Sequence, residues 1–195
     1  MTGLSWRIAE EKDAPALKAL MTLAIEELLK DFLSPEEVEA SHASMGLDTQ
    51  LLADGTYFMV MADGELAGCG GWGKRATLYG GDHTVGRSAA LLDPATDAAR
   101  IRAMYTHPKF ARRGIGRLVL ALGEAAAGQE GFKKLVLGAT LGGEPLYRAY
   151  GFAEVERGST GSPSGVRVPI ITMEKPVDLE SAELTIAMAT GRATR

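Results

Sequence analysis

The chain has 195 residues, 21 of them Lys or Arg and 25 Asp or Glu, a formal charge of −4 with no long block of one sign. That balance argues against a nucleic-acid binder or a membrane-surface binder. At 46% hydrophobic and 24% charged, the composition is that of one soluble globular domain rather than of a disordered chain.

A single cysteine, Cys69, excludes an internal disulfide framework and a multi-cysteine zinc site. No stretch has the basic-then-apolar start of a leader or the ~18 apolar residues of a membrane span, so a cytoplasmic location is expected. Glycine is abundant, at 24 residues, and asparagine is absent, so left-handed and turn positions must rely mainly on Gly and Asp.

Residues 4–9 read as a short strand. Asp13 is placed to cap a helix whose apolar positions Leu17, Leu20, Met21, Ala24 and Leu28 recur at helical spacing. Ser34-Pro35-Glu36-Glu37 combines an N-cap serine, a proline at the first helical position and a glutamate three residues on, which predicts a second, shorter helix running to about Met45. The run 57–62, then Asp63-Gly64, then 65–69 predicts an antiparallel hairpin, because a two-residue turn needs positive φ.

Residues 100–106 form the next predicted strand. Ile115, Leu118, Val119, Leu122 and Ala126 then make the stripe of a helix ended by Gly128. Further strands are predicted at 133–138, 152–156 and 166–174, with a short helix at 145–150 closed by Gly151. Pro169 predicts an edge or bulged final strand, and the Gly/Ser/Pro cluster 158–165 predicts a flexible hairpin loop. Residues 1–175 are expected to form the domain and 176–195 a C-terminal tail, docked or loose. The segment 74–98 shows no period and is longer than most structureless connections.

The chemistry concentrates at 105–117, where a strand meets a glycine turn and then a periodic helix. Exposed backbone N–H groups and the positive end of the helix dipole favour a phosphate or diphosphate there, and Arg112, Arg113 and Arg117 add positive charge. A dinucleotide fingerprint would need glycine where Val119 stands. The sequence 68–75 nearly matches a nucleotide-triphosphate loop, but Arg75 replaces the Ser/Thr that holds Mg²⁺; it reads as a strand end.

Arg112-Arg113-Gly114-Ile115-Gly116-Arg117, followed by Pro145-Leu146-Tyr147-Arg148-Ala149-Tyr150-Gly151-Phe152, resembles the GNAT superfamily of N-acetyltransferases. The order of elements over 4–175 resembles that family as well. Ala111 stands where the family's acyl-CoA motif has Gln or Arg, and Gly142 where many members carry Asn.

The resemblance implies an α+β fold with a mixed, mostly antiparallel sheet splayed between its fourth and fifth strands and helices on both faces. It also implies acetyl-CoA as cosubstrate. The pantetheine arm would lie in the gap, the thioester near Met104 and Tyr105, and the diphosphate on the N–H groups of Arg113, Gly114, Ile115, Gly116 and Arg117, with Thr106 and Arg112 also among the cofactor-binding residues. Tyr147 would give a proton to the departing sulfur, whereas Tyr150 is expected to pack.

The implied activity is direct transfer of acetyl to an amine of a small molecule or peptide. The alternative is a non-catalytic acyl-CoA-binding sensor or interaction module. Segment 74–98, with Trp72, Tyr79, Asp82 and His83 near its start, is expected either to wall the amine acceptor together with the first two helices or to shield the sheet or contact a second subunit of a homodimer. Glu26, Glu27, Glu65 and His107 are the candidate bases, with a water chain as the alternative. The histidines at 42, 83 and 107 have no metal-ligand spacing, so no metal is expected, and Cys69 reads as a small buried thiol rather than a nucleophile.

Overall fold

The computed structural model describes residues 3–191. A seven-stranded sheet runs in the order β1-β2-β3-β4-β5-β7-β6, built from Ser5–Ile8 (β1), Tyr57–Ala62 (β2), Glu65–Gly73 (β3), Ala99–Thr106 (β4), Lys134–Ala139 (β5), Ala153–Gly161 (β6) and Arg167–Pro176 (β7). All neighbours are antiparallel except β4 and β5. Six helices flank it: Ala14–Leu28 (α1), Pro35–Ser41 (α2), Thr49–Ala53 (α3), Ile115–Gln129 (α4), Glu144–Tyr150 (α5) and Leu179–Thr190 (α6).

Strand alternation divides the core. On β2, Phe58 and Val60 face α4, whose Ile115, Leu118, Val119 and Leu122 are buried in the same cluster. Tyr57 and Met59 face the other way, toward Leu17, Leu20, Met21, Ala24 and Ile25 of α1. Each such side chain taken from water contributes about 1.5–3 kcal/mol, which is why the period of these two helices was readable.

The predicted splay is present. β4 and β5 pair only at Ala99↔Leu135 and Arg100↔Val136, although β4 continues to Thr106 and β5 to Ala139. On β4 a bulge opposes Ala103 and Met104 to Gly70 of β3, with Ala103 at φ +47°; the Tyr57 hydroxyl holds it by donating to the Ala103 carbonyl at 2.5 Å. A bulge bends its strand, and this one lies where β4 leaves β5.

Local signals differ in outcome. The Ser34/Glu37 capping box forms and Asp63-Gly64 turns with φ of +54° and +82°. Asp13 does not cap α1: its side chain accepts from the Glu10 N–H and pairs with Arg7. The second helix ends at Ser41 rather than near Met45, and α3 follows, its N-cap Asp48 accepting from Gln50 N–H. Helix α4 passes Gly128, whose missing Cβ makes room for Val177 and Leu179.

Strand β7 lies inside the sheet and not at its edge. Pro169 is tolerated because β7 overhangs β5 there, pairing with β6 alone beyond Ile171. Half of the predicted 158–165 loop is strand, leaving a turn closed by Gly165 N–H to Ser162 O. Beyond β7, α6 lies on α4 through Ala182 against Ala121 and Ala125. The buried Glu124 carboxylate fastens it by accepting from Asp178 N–H at 2.7 Å and from Lys175.

Candidate active site

Helix α4 begins at Gly114 in the left-handed region, φ +84°, with no side-chain cap. The first helical N–H to find a carbonyl belongs to Leu118, which donates to Gly114 O at 3.0 Å. Among the described residues, the N–H groups of Arg112, Gly114, Ile115, Gly116 and Arg117 have no hydrogen-bond acceptor, and Arg113 has only a long one, to Phe110 O at 3.4 Å. These are the orphan donors of a helix start. Ile115 is 1% exposed, so it anchors this turn in the core and offers only its backbone.

The three arginines diverge. Arg113 pairs with Asp63 at 2.9 Å and lies over the Phe110 ring, and Arg117 lies over Tyr150. Arg112, at φ +65°, is exposed and makes no ion pair among the described residues.

The gap between β4 and β5 opens into two chambers. The first, about 170 Å³, is bounded by Ile25, Leu28 and Leu29 of α1, by Met104, Tyr105 and Thr106 of β4, and by Gly116, Leu146 and Tyr147. The second, about 100 Å³, lies between Leu78, Tyr79 and Gly80 of the long loop and Val168, Pro169 and Ile170 of β7. Met45, Met104, Tyr105, Thr140 and Tyr147 line both.

Tyr147 thus stands at the junction. Gly143 makes room for its ring, since a Cβ there would lie 2.8 Å from Tyr147 Cε2. Its ring meets Phe152 edge-on at 6.1 Å, and its hydroxyl has no hydrogen-bond partner among the described residues. Burial pushes its pKa up to about 12.

The other tyrosine of the site, Tyr105, is buried and accepts from Gly46 N–H at 2.8 Å. Its phenol is committed to structure, so only its backbone is available. Tyr150 packs beside Phe152, as expected of it.

The loop 74–98 is folded back on itself by Leu92 N–H to Lys74 O and Ala76 N–H to Ala90 O. Arg102 of β4, 3% exposed, clamps it: its guanidinium donates to Thr77 O at 3.0 Å, Gly80 O at 2.8 Å and Asp48 at 2.9 Å. Asp48 also receives Arg87.

Of the residues expected near the acceptor, Tyr79 lines the second chamber but Trp72 does not. Trp72 is core, edge-on to Phe132, because β3 buries both faces at its end. Asp82 accepts from Thr49, and His83 bonds the His42 carbonyl at 2.6 Å.

None of the candidate bases lines either chamber. Glu27 pairs with Lys30, Glu65 with Lys109, and His107 caps its own turn through Lys109 N–H. Glu26 is exposed on α1. Cys69 lines the first chamber but is fully buried, its thiol pushed up to about 12. Met45, Gly46, Thr140 and Thr160, absent from the sequence-based expectation, come from connections and a strand end that carry no period.

The sequence matches the acetyltransferase (GNAT) family over residues 21–152. The chain belongs to the GNAT acetyltransferase family. Solved structures with the same fold include a GCN5-related N-acetyltransferase from Rhodopseudomonas palustris, 22% identical, covering 90% of this chain and 97% of that one with a TM-score of 0.66.

Two others were crystallised with a cofactor. PaiA N-acetyltransferase from Thermoplasma acidophilum, in complex with coenzyme A, is 15% identical over 89% of this chain and 98% of its own, with a TM-score of 0.60. YncA from Salmonella typhimurium, with acetyl-CoA, is 18% identical over 90% and 95%, with a TM-score of 0.59. A search of curated protein sequences finds no match. At these identities the GNAT neighbours establish the fold, and the chemistry of this chain rests on its own residues.

Proposed function

We propose that this chain is an N-acetyltransferase that takes acetyl from acetyl-CoA and passes it directly to an amine of a small molecule or peptide. The carrying observation is the row of backbone N–H groups at 112–117, all but that of Arg113 without an acceptor among the described residues, opening beside a split sheet whose two chambers meet at Tyr147. Those donors and the helix dipole fit a diphosphate, and the apolar first chamber fits a pantetheine arm. The bound thioester supplies an activated acyl carbonyl.

In this reading Gly114, Ile115, Gly116 and Arg117 hold the diphosphate through backbone N–H groups, with Arg112 and Arg113 adding charge at the rim. The β4 backbone at Met104, Tyr105 and Thr106 lines the acyl end, where a preorganised donor stabilises developing negative charge. Tyr147 keeps a proton at neutral pH and gives it to the leaving sulfur. The second chamber receives the amine.

The test is liberated CoA thiol, with acetylated product identified by mass, across a panel of amines. Tight acetyl-CoA binding by calorimetry with no product from any amine would replace transfer with a sensor role.

A further inference from the structure

Two chambers meet at Tyr147, and neither is lined by an aspartate, a glutamate or a histidine. The titratable groups of the second chamber are Tyr79, Tyr105, Tyr147 and Arg102, and those of the first are Cys69, Tyr105 and Tyr147. Behind Arg102 the carboxylate of Asp48 is already held by Arg102 and Arg87. In the open hollow beyond Met45 and Gly46 stand Lys18, His42, Asp82 and His83; Asp82 is engaged by Thr49 and Arg87. Among the described residues, no carboxylate lining the chambers is therefore available to receive an ammonium group at the junction.

Resting on the acetyl-transfer reading, we propose that the acceptor is a weakly basic amine, an α-amino group or an aromatic amine, bound in its neutral form. Lysine side chains and polyamines are disfavoured by their basicity.

The difference in basicity separates these amines at neutral pH. With α-amino groups near pKa 7.7–8.0 and the lysine ε-amine near 10.4, roughly a quarter to two-fifths of the former are neutral at pH 7.5 against about 0.1% of the latter, a gap of a few hundredfold. A carboxylate in the chamber would offset that gap by binding the ammonium and then removing its proton, and none is there. An apolar chamber disfavours the charged form of any amine, so each acceptor enters as its neutral species and the gap in neutral fraction carries into kcat/KM.

The step balances without an added base. The nitrogen–carbon bond forms and the carbon–sulfur bond breaks. The nitrogen loses one proton and the sulfur gains one. Tyr147 gives its hydroxyl proton to sulfur and recovers one from the nitrogen, so a single phenol serves both ends of the exchange.

The test compares kcat/KM for four acceptors with the full chain and acetyl-CoA: alanine amide, an aniline, lysine amide blocked at its α-amine, and spermidine. At pH 7.5 the first two should exceed the last two by about a hundredfold or more. For each acceptor, log kcat/KM should rise with unit slope and level off at that amine's own pKa, so the blocked lysine gains ground up to pH 10. Preference for spermidine or the lysine at pH 7.5 would overturn the inference and leave acetyl transfer standing.

An acid-side ionisation common to all acceptors and lost in His83→Ala or His42→Ala would also overturn it by identifying a base. Acetyl-CoA binding with no amine acetylated would overturn the transfer reading itself, and the inference with it.

Discussion

The Leu146 side chain fills the space that a side chain on Gly116 would need: its Cδ2 lies 2.6 Å from the position of a Cβ there. Gly116 therefore lets α5 close on α4 as well as baring a backbone N–H, and α5 carries Tyr147. Gly116→Val should displace α5, lowering acetyl-CoA affinity by tenfold or more and slowing transfer beyond the affinity loss. Gly114→Val meets no neighbour but must adopt φ +84°, a strain of about 1–3 kcal/mol. It should lower the melting temperature and weaken binding together. Calorimetry and thermal melts separate the two, and a Gly116→Val protein with unchanged affinity and turnover would show that Leu146 simply gives way.

The legible parts of this protein were those whose signal is local or periodic. The stripes on α1 and α4, the Ser34/Glu37 box and the Asp63-Gly64 turn each announce themselves within a few residues. Gly114 and Gly116 were equally visible, but Leu146, thirty residues from Gly116 in sequence, gives the second glycine a packing role that no local pattern encodes. Asp13 misled because a nearby Arg7 outcompetes the helix for its carboxylate. Pro169 misled because an overhanging strand end offers the same missing partner as an edge. The second chamber was hidden for a different reason: its wall is set by Arg102, which reaches from β4 to carbonyls of a loop without periodicity.

Tyr147→Phe should leave the fold intact, since the hydroxyl bonds nothing among the described residues while the ring packs on Phe152. Turnover should fall by about 10²–10⁴, the range for a general acid, with acetyl-CoA affinity unchanged. Because burial places this phenol at about 12, its deprotonation cannot produce an alkaline loss of activity below about pH 11. Stopped-flow thiol release across pH 6–10 checks both points, and full activity in the variant would remove Tyr147 from the reaction.

Asp48→Asn should be among the most damaging single changes outside the chambers. The carboxylate is 3% exposed, receives Arg102 and Arg87, and caps α3 through Gln50 N–H. Breaking a buried pair from one side costs about 3–5 kcal/mol, because the remaining charge stays buried without compensation. Denaturant melts should show that loss, and hydrogen exchange should show faster opening of 77–80, the segment Arg102 holds. A change below about 1 kcal/mol would mean the cluster is solvated and does not clamp the loop.

Arg7 and Asp13 predict an acid-side effect. The Arg7 guanidinium, donating at 2.6 and 2.7 Å, holds the Asp13 carboxyl down at about 2, with Glu10 N–H assisting. A carboxyl depressed on folding adds stability that is complete above its ordinary value near 4 and is lost as pH falls from about 4 toward 2. Arg7 is 46% exposed, so solvent screening limits the contribution to about 1 kcal/mol. Arg7→Ala should lower stability at pH 7 by that small amount and flatten this part of the acid limb. Urea melts at pH 7, 4 and 2.5 measure it, and parallel limbs in the two proteins would assign the acid sensitivity to other carboxylates, such as Asp54 under Arg75.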